Sequence, residues 1–411
     1  MRPASVIIVS NRRPAALKRC VMAVGQLYHP NYEVVVVADS QSLRTLTGSP
    51  LGRGLKTAAF DEENISQARN IGIGLAAGDV LAFIDDDAVP EPTWLTHLAG
   101  AFDDDEVAAA GGFLRGRNGI SWQWRAASVD HTGQRHDLTW DSQRPAALHP
   151  ARGRAIKTEG TNMAFRREVL CAIGGFDPAF RFFLDETDLN MRLARAGHAT
   201  AIVPLAEVHH GFAESTRRRA DRVPRDLFEI GASMGAFLLR HCPAPQRAGV
   251  EAAFAREQRQ RLLRHMVAGR LEPRDLRRLL ARLNDGMAEG RTRTPVPMPA
   301  LGHATAPFSP LPRKPRLSPR IRQGRWHERQ KIRQSAIHDV AAGHVTTVMI
   351  FSLTALFGRV TFTDQGFWEH RGGQFGRFER AEPLFRLRRL RDRCQKEMLR
   401  VQKVRGLSAP H

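Results

Sequence analysis

Five apolar residues, Val80-Leu81-Ala82-Phe83-Ile84, run directly into three carboxylates, Asp85-Asp86-Asp87. A run so short and so uniformly apolar predicts a buried strand of a parallel sheet. Open α/β sheets place their ligand sites just beyond strand carboxyl ends, which is where these acids fall. Grouped carboxylates repel one another and lose hydration unless a cation joins them. A hard divalent ion shared with phosphate is their natural partner. The bland alternative is a solvated acidic turn.

The neighbouring segments set that strand in a repeating pattern. Residues 6–10 and 33–38 read as strands, the second mostly valine and followed by Asp39. Residues 14–27 read as a helix opened by Pro14, and residues 66–77 as a helix closed by Gly78. Strand alternating with helix predicts an α/β fold with a mostly parallel sheet. Further along, Asp185-Glu186-Thr187-Asp188 forms a second acidic turn ahead of a helix expected over 189–196. Residues 199–203 then read as a strand leading through Pro204 to His209-His210.

Length and charge divide the chain. At 411 residues it exceeds the size at which single cores usually stop growing, so a substantial domain plus an extension is expected. Residues 1–240 balance 28 Lys and Arg against 28 Asp and Glu, whereas residues 241–411 hold 34 against 14. The whole net charge of +20 is therefore carboxy-terminal, and it implies a polyanionic neighbour such as an anionic membrane, an acidic polymer or nucleic acid. Residues 241–293 read as one or two arginine-rich helices. Residues 294–319 hold eight prolines and read as an extended or mobile linker. A basic region follows, with helical patterning over 383–404.

Cys20, Cys171, Cys242 and Cys394 are far apart, which argues against a zinc ribbon or redox motif and suits a reducing compartment. Val6-Ile7-Ile8-Val9 is too short for the apolar core of a signal peptide, so a cytoplasmic setting is expected, with peripheral contact to a membrane. Residues 345–357 form an apolar stretch interrupted by Thr346, Thr347, Ser352 and Thr354. It falls short of the roughly 20 apolar residues that a span needs and reads as a core helix.

The motifs Val6-Ile7-Ile8-Val9-Ser10-Asn11-Arg12, Val36-Val37-Ala38-Asp39-Ser40, Ala68-Arg69-Asn70-Ile71-Gly72, Phe83-Ile84-Asp85-Asp86-Asp87, Gly160-Thr161-Asn162, Gly174-Gly175-Phe176-Asp177 and Phe183-Leu184-Asp185-Glu186-Thr187-Asp188-Leu189 occur in this order. Together they resemble family 2 glycosyltransferases of the GT-A fold, across roughly residues 4–220. The resemblance implies a GT-A domain, set at 1–240; the patterning beyond it divides into a helical extension over 241–293, the linker over 294–319 and a basic, mainly helical region over 320–411.

By the same resemblance Ser10, Asp39, Arg69, Asp85 and Asp86 face the nucleotide of a nucleotide-sugar donor. Asp39 would accept a hydrogen bond from a pyrimidine N–H, or else cap a helix. Arg69 would offer its planar fork to a phosphate or carboxylate, or form a surface ion pair. Asp85 would face ribose or base. Asp87 would ligate Mn²⁺ or Mg²⁺ bridging the diphosphate oxygens, with His209 or His210 completing the set; counting from Pro204 favours His210. Gly160 and Asn162 would line the sugar pocket.

A hydroxyl acceptor needs a base, because it is a poor nucleophile until its proton is removed. Asp185 and Glu186 are the candidates. Relatives usually carry Glu-Asp with the second acid as base, whereas here the order is reversed; position points to Glu186. Asp188 suits helix capping. The activity implied is metal-dependent, inverting sugar transfer to a glycan or glycolipid hydroxyl. Two other readings compete with it. A nucleotidyltransferase lacks its glycine-rich phosphate loop here, and a non-catalytic glycan- or membrane-binding protein would leave four placed carboxylates without a task. Nucleic acid is disfavoured as a partner, since no recognition motif accompanies the basic residues.

Overall fold

The computed structural model describes residues 1–211, 214, 216–293, 298–312 and 318–407. Runs rich in valine and isoleucine form β1 (Ala4–Ser10) and β2 (Tyr32–Ala38), and every residue of both is buried. β3 (Lys56–Ala59) extends the sheet beyond β2, and β4 (Val80–Asp85) lies on the other side of β1. All these pairings are parallel, and Val9 stands opposite Asp85.

Beyond β4 the sheet becomes mixed. The strand Met163–Arg166 runs antiparallel between β4 and its far neighbour, and β5 (Ala88–Pro90) pairs with the long strand Ala199–His210. β6 (Val107–Arg115) is parallel to Ala199–His210, so both deliver their carboxyl ends to the same edge as β4. Among the described residues this sheet has ten strands.

Six helices cover it: α1 (Pro14–Val24), α2 (Ser40–Thr47), α3 (Ile65–Leu75), α4 (Trp94–Gly100), α5 (Arg167–Ala172) and α6 (Asp185–Arg195). Side chains alternate across a strand, so Val6 and Ile8 join Leu17, Leu43 and Trp94 on one face while Ile7 and Val9 join Ile73, Leu170 and Leu189 on the other. The last helix differs from the expectation of residues 189–196. It begins at Asp185, because Leu184 adopts a left-handed conformation (φ 64°) that turns the chain into the helix four residues early. Three acids in this first turn complement the helix dipole.

Residues 228–290 form three helices, α7 (Phe228–His241), α8 (Ala244–Val267) and α9 (Pro273–Gly290). α7 and α9 approach at bare backbone: a Cβ on Gly286 would fall 2.0 Å from the Phe228 carbonyl oxygen, and one on Gly290 2.0 Å from that of Ala232. The described part of the proline-rich segment, residues 298–312, is laid along the body. Leu301 donates to the Cys171 carbonyl (2.9 Å), Ser309 to the Glu33 carboxylate (2.9 Å) and Leu311 to the Tyr32 carbonyl (2.9 Å). The expectation of an extended linker at residues 294–297 and 313–317 lies outside the described residues.

The basic region carries a separate four-stranded sheet, ordered Arg320–Arg325, Thr346–Ser352, Trp368–Gly373, Arg359–Phe362. Within residues 345–357, read as a helix, Thr346–Ser352 thus form a central strand instead. The β-branched run Val345-Thr346-Thr347-Val348 favours extended backbone, and a short apolar run does not distinguish the two by periodicity. α10 (Arg329–Ala341) covers one face through Ala336 and Ile332. The other face packs Met349, Phe351 and Trp368 on Ala23, Val89 and Ile120 of the first domain.

α11 (Leu390–Arg405) fastens the four-stranded sheet to the ten-stranded one. Arg405 is fully buried and grips the equally buried Glu91 with two hydrogen bonds, Nε to Oε2 at 2.8 Å and Nη2 to Oε1 at 2.9 Å. Its guanidinium also lies 4.2 Å from the Trp368 ring centre, and His209 Nε2 is 2.8 Å from Glu91 Oε1. Removing one partner of a buried pair strands the other. Arg405→Met is therefore expected to cost about 3–5 kcal/mol, measured as a lower urea midpoint at unchanged slope. A loss below about 1 kcal/mol, the scale of an exposed pair, would show that Glu91 finds another partner.

Candidate active site

The acids at the end of β4 point in different directions. Asp85 accepts from the Thr161 hydroxyl (Oδ2, 2.6 Å) and lies 3.3 Å from Arg69 Nη2. Asp87 stands 3.4 Å from His210 Nε2 and 3.3 Å from Arg13 Nη1. One ligand atom each from Asp85, Asp87 and His210 falls within 4.8 Å of the others, so two carboxylates and an imidazole converge on a single point. This donor set fits a divalent metal, and the imidazole suits Mn²⁺ better than Mg²⁺. His209 is turned away, held against Glu91 and Trp368.

Asp86 takes a different place from the nucleotide-facing one expected of it. Its side chain is wholly buried, accepting from Ser10 Oγ (2.6 Å) and pairing with Arg13 Nη2 (2.6 Å). Burial, with Asp87 and Asp85 adding to it, pushes this carboxyl up to about 7 against the pull of Arg13. Ser10 spends its hydroxyl on Asp86 and so does not reach the cleft through it. Asp39 caps α2, accepting from the Ser42 amide (3.0 Å) and the Arg12 amide (2.6 Å). Burial opposes ionisation there, but these bonds hold the carboxyl below its usual range.

Arg69 is buried and turns its fork inward to carboxylates of the protein itself. Nη1 donates to Asp185, and Nη2 lies 3.3 Å from both Asp85 and the Gly160 carbonyl oxygen. A Cβ at 160 would sit 2.7 Å from Arg69 Nη2, so any side chain there would shift this guanidinium. Asn162 also departs from its expected place in a sugar pocket. It is fully buried, accepting from Trp94 Nε1 (2.8 Å) and donating to the carbonyls of Phe113 (3.0 Å) and Ala206 (2.8 Å).

The first turn of α6 sets its two acids in contrasting surroundings. Burial, helped by Glu186 and Asp85, pushes the Asp185 carboxyl up, although Arg69 opposes it. Burial works the same way on Glu186 but is outweighed by the Lys157 ammonium 2.7 Å away, which brings that carboxyl down to about 2. Asp188 is committed to structure, taken by Arg192 (2.8 Å) and His241 (2.8 Å). Two polar contributors to this site escaped the sequence reading: Arg13 and Lys157. Their partners lie 74 and 29 residues away, and only the acids they serve carried a signal.

The sequence model of the family described as "Glycosyltransferase like family 2" matches residues 2–227, more than half of the chain. The chain belongs to this family. The sheet with acids at the β4 edge is accordingly a GT-A fold. Among relatives of this family 2 glycosyltransferase, the O-antigen biosynthesis protein RfbC of Myxococcus xanthus is 28% identical over 240 residues, covering 54% of this chain and 18% of the relative. Glucosyl-dolichyl phosphate glucuronosyltransferase of Haloferax volcanii is 30% identical over 118 residues, covering 28% and 36%. Pre-mycofactocin glycosyltransferase of Mycobacterium tuberculosis is 25% identical over 247 residues, covering 58% and 48%. Each match spans less than half of the relative's own length.

Similar solved structures include GalNAc-T7 with UDP, GalNAc and Mn²⁺ (TM-score 0.44, 17% identity, 58% of this chain and 48% of that one). Another is the mannosyltransferase PcManGT of Pyrobaculum calidifontis with GDP-Man and Mn²⁺ (TM-score 0.41, 16% identity, 71% and 87%).

Proposed function

We propose that the chain is a metal-dependent, inverting glycosyltransferase that moves a sugar from a nucleotide-sugar donor to a hydroxyl of a cell-surface glycan or glycolipid. One observation carries the reading: a single guanidinium, that of Arg69, bonds both Asp85 of the metal-capable cluster and Asp185 at the head of α6. The donor-holding acids and the base candidates are thereby fixed within one side chain of each other. Asp85, Asp87 and His210 would hold Mn²⁺ or Mg²⁺, which would supply positive charge to the departing diphosphate.

The base is assigned to Glu186. It is ionised and partly exposed, at 16% of its side chain, whereas Asp185 is locked against Arg69. As the acceptor oxygen bonds to the anomeric carbon, its proton passes to a Glu186 carboxylate oxygen and the sugar–phosphate bond breaks toward the nucleoside diphosphate. A single displacement of this kind inverts the anomeric centre. Lys157 keeps Glu186 deprotonated before attack. Asp39 would accept from a base N–H, and Thr161 would stand beside the sugar.

The test is a panel of UDP-, GDP- and dTDP-sugars incubated with the purified protein and Mn²⁺. Release of nucleoside diphosphate and thermal stabilisation are expected with at least one donor. A folded protein that neither binds nor hydrolyses any of them would remove the transferase reading.

A further inference from the structure

None of the described helices is long and apolar enough to cross a membrane. The second domain nonetheless exposes large apolar side chains in one place. Leu356 and Phe357 are each 63% exposed, Leu384 61%, Phe385 59% and Leu387 78%. They stand on two irregular segments, residues 353–358 and 384–389, that flank the turn at 373–376.

These segments are built together. Gly373 donates to the Leu356 carbonyl (2.9 Å), Phe375 to that of Thr354 (3.1 Å), and Arg386 to that of Phe375 (2.9 Å). The rings of Phe375 and Phe385 lie 5.7 Å apart. A Cβ on Gly373 would meet the Thr354 carbonyl oxygen at 2.2 Å, so the close approach is part of the design of the turn. The exposed tips are therefore held in place by a fixed backbone.

Arginines surround the apolar tips. The Arg377 guanidinium sits over the Phe357 ring at 4.9 Å, Arg386 and Arg389 are exposed along the second segment, and Arg391 is exposed in the first turn of α11. Neither segment holds an acid; of the acids flanking the second, Glu382 is buried and paired with Lys396 and Arg393, while Glu379 and Asp392 are exposed. Apolar tips ringed by arginine fit a layer with anionic headgroups above hydrocarbon. Irregular segments offer no helix face or strand edge along which a partner protein would lie.

The patch also adjoins the rim of the cleft. Three residues beyond Phe357, Val360 donates to the Asn118 carbonyl (2.8 Å) in the turn after β6. Arg117 of the same turn reaches the carbonyl of Gly211, directly after His210 (3.2 Å).

We propose that residues 353–358 and 384–389 dock the protein on an anionic lipid bilayer, bringing the cleft rim to the lipid surface. The proposal is independent of the catalytic reading. It is tested on the full chain by sedimentation with vesicles of phosphatidylcholine alone or doped with phosphatidylglycerol. Binding is expected with the doped vesicles, and it should fall as salt cuts the screening length from about 10 Å at 0.1 M to about 3 Å at 1 M.

The triple variant Phe357→Ser/Leu384→Ser/Leu387→Ser should bind at least about tenfold more weakly, each lost buried CH₂ being worth several-fold. Arg386→Gln and Arg389→Gln should each cost roughly fivefold. As a measurement on near-native protein, Leu387→Trp should add emission that shifts to the blue on doped vesicles only.

Three results overturn the proposal: no binding to either vesicle, equal binding to both, or undiminished binding by the folded serine variant. So does a dimer that the serine variant dissolves, since a second copy would then be the occupant. Donor hydrolysis is read separately and should survive in every variant.

Discussion

Asp87→Ala should abolish sugar transfer while leaving the protein folded. A metal at a phosphoryl leaving group contributes several kcal/mol to the transition state. At tenfold per 1.4 kcal/mol, losing it should cost about 10³-fold or more. The fold should survive because Arg13 keeps Asp86 as a partner and Gln123 still meets His210. EDTA should reproduce the loss in the native chain, with recovery on adding Mn²⁺. Full turnover in EDTA would leave Asp85, Asp87 and His210 as an acidic rim with no metal to hold.

Glu186→Gln should lower transfer by about 10²–10⁴-fold, the usual contribution of a general base, with donor affinity nearly unchanged. The pH dependence gives a second readout. A carboxyl held down to about 2 by Lys157 is ionised throughout the working range, so it sets no acidic limb near the ordinary glutamate value. In Lys157→Met the burial that raises this carboxyl would act without its main opponent, and the acidic limb of the pH–rate profile should move upward. If Asp185→Asn shows the base phenotype and Glu186→Gln does not, the two roles exchange. The Arg69 contact is then the one that must open during the reaction.

The parts of the fold that sequence alone discloses are those coded locally. β1, β2 and β4 are each built on a run of four or five buried apolar residues, and their order with intervening helices leaves few topologies. Acids at a strand end are similarly visible, since position along an element predicts position in space, whereas the strand read over 199–203 in fact runs on to include His210. Long-range choices are not visible. Asn162 sits in a turn that looks like pocket lining, and only the arrival of Trp94 from a distant helix fixes it in the core. Asp86 differs from Asp85 and Asp87 by one step of the chain, yet Ser10 and Arg13 decide that it points inward. The four-stranded sheet was obscured because its central strand is a short apolar run, ambiguous until Trp368–Gly373 pairs with it.

The Arg405–Glu91 pair has a consequence for the order in which this protein is made. The two residues are 314 positions apart. At translation speeds of roughly 5–20 residues per second, Glu91 waits on the order of 15–60 s for its partner to be synthesised. During that interval the nascent sheet can assemble its parallel half, but the carboxylate between β5 and α4 has no guanidinium to enter the core with. Native assembly of the first domain is thus finished by α11, so an interrupted polypeptide carrying the whole catalytic constellation would emerge as a substrate for chaperones and proteases instead of a free-standing enzyme.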